Sequence, residues 1–213
     1  MLELFTSVFV TFFVAIDPPG VAPIFAALTE DSPKSHRRNM AIKSVVIATG
    51  VLVMFALGGG WLLNAMHISL DAFRAAGGVL LFLMALEMIF EKRTERREER
   101  AEKIAEEHDT HPEVLDDISV FPMAIPMLAG PGAIATMMLF MSEAENLLQR
   151  AVIMGGAGVN LLICLIVFLA IGPVMRFIGE SMAAMITRIL GVILAALAAQ
   201  FIFDGIKGAL MGG

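Results

Sequence analysis

The chain has 213 residues, 58% of them apolar and 17% charged, with a mean hydropathy of +0.81. That is too apolar for a water-soluble domain of this size, and a net charge of −6 argues against nucleic acid as a partner. The single Cys164, midway along an apolar run, excludes an internal disulfide and a cysteine metal cage.

Six apolar segments are predicted to cross the membrane, since about 20 helical residues span the roughly 30 Å of hydrocarbon. Segments 44–66, 118–142 and 151–175 are free of charge, whereas 4–29, 73–90 and 184–206 carry one or two charges each. Glu3 is present and no Lys or Arg precedes Lys34, so the first segment lacks the basic start of a secretory signal and is expected to be mature structure. Its middle reads Ala15-Ile16-Asp17-Pro18-Pro19-Gly20-Val21-Ala22-Pro23. Pro18 and Pro19 have no N–H and crowd the carbonyls of Val14 and Ala15, so a helix must break here. Asp17 before a proline has the form of an N-cap with Pro at the first helical position. A carboxylate at this depth is also costly, which makes it a candidate for holding a substrate ammonium or carrying a proton. The carbonyls that the prolines release, on Val14 and Ala15, can accept from a cation or an amine where they line a polar cavity.

A loop at 30–43 follows, with Lys34, Arg37, Arg38 and Lys43, and then segment two with Gly50 and Gly58-Gly59-Gly60, which permit close helix contact. A short link with His67, Asp71 and Arg74 leads to segment three. Glu87 there is a candidate proton relay or an interfacial acid. Residues 91–117 hold six basic and eleven acidic residues, expected as a solvated cytosolic helix extension that decays into a flexible linker. His108 and His111 in it read as a hydrated loop, and no metal or other cofactor is expected.

Segment four carries a second break about 112 residues after the first, at Pro122, Pro126, Gly130, Pro131 and Gly132. The helix restarting after Pro131 points its free N–H groups and positive end at the break. Acceptors with Asp17 on one broken helix and donors on the other would hold the two ends of an amino acid. Thr6, Thr11, Thr136 and Asn160 are further polar residues for such a cavity, although helix–helix hydrogen bonds are their commoner use. Glycines on segment two and at Gly155-Gly156-Ala157-Gly158 suit internal packing or a homo-oligomer.

The halves repeat. Residues 78–91 lie over 191–204 without a gap, matching Gly78 with Gly191, Glu87 with Gln200 and Glu91 with Asp204. With three crossings per half the second half must run upside down, and interrupted helices at matching places point to a transporter's central site. The organisation expected is a first three-helix repeat at 1–91, a charged cytosolic linker at 92–117 and a second repeat at 118–213, as one membrane domain. Twelve of the fifteen Lys and Arg fall on one side, leaving Arg74, Arg150 and Lys207 on the other. The basic side is expected to be cytosolic, with both termini outside. Were segments one and four re-entrant, the same count would put the termini inside.

The Asp17-Pro18-Pro19-Gly20-x-x-Pro23 break, the Pro122-x-x-x-Pro126-x-x-x-x-Pro131-Gly132 break and the six-segment layout with a charged central link resemble the MarC family of integral membrane proteins. The resemblance covers essentially the whole chain. It implies a small six-span exporter of the LysE type in the inner membrane, moving small neutral amino acids such as glycine and alanine. It carries over Asp17 to Gly20, Pro23, Pro126 and Gly130 to Gly132.

The reading is an all-α polytopic membrane protein of two inverted three-helix repeats with discontinuous helices one and four. Its expected function is secondary transport of small neutral amino acids, proton-coupled through Asp17, and not catalysis. Two alternatives stay open: a non-transporting membrane scaffold or regulator, and an inorganic-ion exporter. The latter would want several acids at one depth, where only Asp17 is central.

Overall fold

The computed structural model describes residues 1–30, 32–90 and 117–211, apart from the side chains at 178, 180 and 211. All regular structure among these is helical: α1 Leu2–Ile16, α2 Pro18–Leu28, α3 Lys34–Ala65, α4 Leu70–Ile89, α5 Pro131–Glu143, α6 Leu147–Leu169 and α7 Ile171–Met211. A wide-turned segment, Ser119–Leu128, precedes α5. Leu2–Leu28, α3, α4, α6 and the Ser181–Leu210 part of α7 are each long and apolar enough to cross a membrane. Ser119–Leu128 with α5, bent by 53°, makes a sixth if the pair is one span. The chain is an all-α polytopic membrane protein. Most of the linker expected at 92–117, with His108 and His111, lies outside the described residues, as does Glu91.

Three boundaries differ from the sequence reading. The supposed loop at 30–43 is helical from Lys34, because after Pro33 nothing breaks a run in which Lys, Arg, Met and Ala all favour helix. Segment five ends at Leu169, and α7 starts two residues later at Ile171, so residues 171–175 belong to the next helix. Apolar composition hides that turn. Finally, α7 kinks at Gly179, whose φ of 61° suits glycine, and Arg188 sits inside its apolar part with an exposed side chain.

Helices α4 and α7 run antiparallel in close contact. A Cβ on Gly78 would lie 2.9 Å from the Ala198 carbonyl oxygen and 2.8 Å from Ile202 Cγ1. A Cβ on Gly191 would lie 3.1 Å from the Ala85 carbonyl oxygen and 3.1 Å from Ile89 Cγ1. In the alignment of the halves Gly78, Ala85 and Ile89 match Gly191, Ala198 and Ile202, so each glycine meets the counterparts of the residues its mate meets. Small residues let the two backbones approach where lipid offers no hydrophobic drive for association.

One large buried cluster joins α1, α2, α3, the 118–129 stretch, α5 and α6. A smaller one, Val14, Leu81, Ala85, Met88, Leu139, Leu194 and Ala198, joins α1, α4, α5 and α7. Met54, Leu57, Trp61, Leu162, Ile166 and Val192 face outward, as suits an apolar solvent. Lys43, ten residues into α3, pairs with Asp117 at 2.7 Å, and near the ends of α4 and α5 Arg74 pairs with Glu143 at 3.0 Å and Asp71 at 3.6 Å.

Candidate functional site

The first break is a single residue. Asp17 adopts a left-handed conformation, φ 60° and ψ 64°, which Asp tolerates better than most residues. It closes α1 by donating its N–H to the Phe13 carbonyl at 2.9 Å, and its own carbonyl accepts from Val21 N at 3.0 Å. Its carboxylate folds back over the start of α2, where Oδ1 accepts from Gly20 N at 3.2 Å. Position 20 must therefore be glycine: a Cβ would lie 2.1 Å from Asp17 Oδ2. A second donor comes from the far end of the chain, Thr187 Oγ1 of α7 at 2.9 Å from Asp17 Oδ1. Asp17 is fully buried and Thr187 is 2% exposed, so this bond ties the first break to the last helix out of contact with solvent.

Beside the break is a cavity of about 90 Å³. Phe13, Pro18, Pro19 and Ala22 form one wall and Ile163 and Val167 of α6 another. Val174, Met175 and Ala183 of α7 complete it. Every lining side chain is apolar.

The second break is built differently. Phe121 and Ile125 are extended, φ/ψ −127°/129° and −127°/120°, because each precedes a proline that disfavours helical geometry in the residue before it; the Phe121–Pro122 and Ile125–Pro126 bonds are cis. Helix α5 then starts with Pro131 at its first position. Gly130 and Gly132 are buried and Pro131 is exposed. No side chain caps α5. A Cβ on Gly130 would lie 2.2 Å from the Pro126 carbonyl oxygen, and one on Gly132 would lie 2.5 Å from Met84 Cε and 2.6 Å from Met84 Sδ. The stretch leading in is anchored by Asp117, whose Oδ1 accepts from Ser119 N at 3.1 Å and from the Ser119 hydroxyl. With Lys43 donating to Asp117 Oδ2, these bonds hold the Asp117 carboxyl well below its ordinary range, at about 2.

Of the residues singled out in the sequence, Val14, Ala15, Asp17, Pro18 and Gly20 are buried together at the first break, with Pro19 and Pro23 half-buried. Only Pro18 and Pro19 among them line the cavity; Pro126, Gly130, Pro131 and Gly132 do not. What joins the two regions is packing. Val14 shares a cluster with Leu81 and Leu139, and Leu81 approaches Gly132 from α4. Thr6 and Thr11 donate to carbonyls of their own helix, and Asn160 bridges α6 to α1 by donating to the Phe9 carbonyl at 3.1 Å. Thr136 is fully buried on α5. Glu87 is half-buried on α4, whereas Gln200 is exposed and bonds Asp204 one turn on.

Sequence reasoning missed Thr187 and Met84. For Thr187 there was a signal: it is the one hydroxyl residue in 184–206. Met84, one of 16 methionines, had none.

No solved structure matches the chain. The chain is 37% identical over 210 residues to a UPF0056 membrane protein of Methanocaldococcus jannaschii, an alignment covering 99% of both chains. It is 30% identical over 210 residues to the UPF0056 membrane protein YvbG of Bacillus subtilis, covering 98% of this chain and 96% of that one. To the UPF0056 membrane protein YhcE of Escherichia coli it is 28% identical over 204 residues, covering 96% and 92%. The family model of MarC family integral membrane proteins matches residues 2–210, and the chain belongs to that family.

Proposed function

We propose that the chain is a secondary transporter of small neutral amino acids, glycine and alanine in size, coupled to protons through Asp17. The observation that carries this reading is a fully buried carboxylate at a broken helix, one residue from a cavity. An acid kept inside the hydrocarbon region needs a use that offsets its cost. Capping α2 is one use, and Asp17 serves it. Proton exchange is compatible with it, because a protonated Asp17 can still accept from Gly20 N and Thr187. The small apolar cavity suits a short side chain such as the methyl of alanine. We place the protein in the inner membrane with its basic loops cytosolic and both termini outside, following its distribution of Lys and Arg.

The test is uptake and counterflow of labelled glycine in proteoliposomes under an imposed pH gradient. Asp17→Asn should retain exchange and lose gradient-driven accumulation, since asparagine keeps the cap and cannot carry the proton. Full accumulation by that variant removes the proton role.

A non-transporting scaffold is the second reading. It is favoured by the way Met84 and the Pro126 carbonyl fill the second break. It predicts that no amino acid raises the melting temperature of the purified protein, whereas a bound substrate must raise it by mass action.

A further inference from the structure

Two alanines from distant parts of the chain face one another across the cavity beside the first break. Ala22 of α2 lies one turn beyond Pro18, and Ala183 of α7 lies one turn before Thr187 on the same helix face. They are 3% and 2% exposed. Asp17, which precedes Pro18, and Thr187 are joined by the buried 2.9 Å hydrogen bond. That bond ties α2 to α7 within about a turn of both alanines, so the distance across the cavity at this point is fixed. With the kink at Gly179 between them, Val174 and Met175 on one arm of α7 and Ala183 on the other all line the same space.

The remaining walls are stiff as well. Ile163, Val167 and Val174 are β-branched and hold one χ1 rotamer in a helix, and Pro18 and Pro19 are closed rings. Of the described lining residues only Met175 is long and flexible. A space with walls of this kind cannot stretch to fit its occupant, so it selects by size. Its volume of about 90 Å³ falls short of the roughly 150 Å³ that admits a benzene ring, so a short aliphatic group fits and an aromatic one does not. It selects by polarity too. A hydroxyl entering it would give up water and find no side-chain partner. The charged ends of an amino acid stay outside for the same reason, and only a side chain enters.

We propose that this cavity is the side-chain subsite of the transporter, with Ala22 and Ala183 as the residues that set its size limit. This deepens the amino-acid reading and rests on it for the identity of the occupant. The substrates it selects are amino acids with a short aliphatic side chain, alanine ahead of glycine, and serine and phenylalanine are turned away.

The experiment is counterflow of labelled alanine in proteoliposomes of the full chain, competed by unlabelled alanine, glycine, serine, leucine and phenylalanine. Alanine should compete about fourfold more strongly than glycine, the worth of one buried methyl group. Serine should be about tenfold weaker than alanine, the cost of an unpaired hydroxyl, and phenylalanine should not compete. Ala183→Val and, separately, Ala22→Val put bulk where the methyl would go and should turn the order to glycine over alanine. Val167→Ala widens the opposite wall and should let leucine compete. Each readout is a ratio within one variant, so the amount of folded protein cancels. If neither valine variant folds, Val167→Ala alone decides, and leucine still excluded from it overturns the subsite. Alanine and glycine ratios unmoved by either valine variant overturn it, as does serine competing equally with alanine. Such results beside sustained alanine counterflow would leave amino-acid transport standing. Valine variants that change only stabilisation by added phospholipid would give the cavity to an acyl chain instead. No counterflow with any amino acid removes the transport reading and the subsite together.

Discussion

The two breaks solve one problem in opposite ways. At the first, the chain supplies its own anion: Asp17 caps α2, is held by Thr187 from α7, and needs glycine at position 20 to make room. At the second, the chain supplies only backbone: Gly130 and Gly132 present a helix start, with a carbonyl on one side and a movable methionine on the other. A self-satisfied polar centre is rigid, because every displacement costs a buried hydrogen bond. An uncapped start under an apolar lid has little to lose on opening. The fixed element is thus on the first half and the adaptable one on the second, although their sequences sit at matching places.

The same substitution made at both breaks should show this contrast most strongly. Gly20→Ala drives a methyl into the Asp17 carboxylate, and overpacking with loss of the cap is expected to cost about 3 kcal/mol. Gly132→Ala meets only the end of Met84, which can turn away, so its cost is expected below about 1 kcal/mol. Melting temperatures of the two variants in one detergent compare them directly. Equal losses would mean that Met84 is as fixed as the carboxylate.

Next in size is a pair of hydroxyl deletions. Thr187→Val removes a donor to a buried carboxylate and should cost about 1.5–3 kcal/mol, while Thr187→Ser restores the bond and most of the stability. Thr136→Val removes a hydroxyl that has no partner among the described residues, so it is expected to be neutral or stabilising. A Thr136→Val variant that melts well below the native chain would show that its hydroxyl is already engaged.

A third comparison isolates charge from shape. Asparagine can keep the left-handed turn and the cap, so Asp17→Asn is expected to change stability by less than about 1 kcal/mol, whereas Asp17→Leu loses both and should cost more. Similar melting temperatures for the two variants would remove the capping role.

Much of this contrast could be read from the sequence, and the limit lay in range. Pro18, Pro19, Pro122, Pro126 and Pro131 act on their immediate neighbours, so the break positions, the N1 prolines and the extended Phe121 and Ile125 follow from local sterics. The Gly78 and Gly191 match was legible as a pattern, and only packing showed that each meets the other's counterparts. Thr187 lies 170 positions from Asp17, and no local rule links a hydroxyl in one apolar run to an acid in another. Nor does composition reveal which of many methionines covers a helix start. The cavity beside Pro18 was unreadable for the same reason: its walls come from three separate parts of the chain, none polar enough to stand out.

The smallest expected effect lies where the chain enters the second break. Lys43 and Ser119 stabilise the charged form of Asp117, holding its carboxyl at about 2 against an ordinary 3.8. A lowered folded-state value means that the ion pair adds stability above about pH 4, and that this contribution fades as pH falls from about 4 toward 2. Both side chains are well exposed, 59% for Lys43 and 42% for Asp117, so the pair is expected to contribute below about 1 kcal/mol and to weaken with salt. Melting the native chain and Asp117→Asn from pH 6 down to pH 2 reads the difference directly. The native advantage should shrink through the acid range and in high salt. A difference that persists at pH 2 would assign it to the Asp117 bonds with Ser119 instead of to charge, making the entry to the second break as firmly fixed by hydrogen bonds as the first break is.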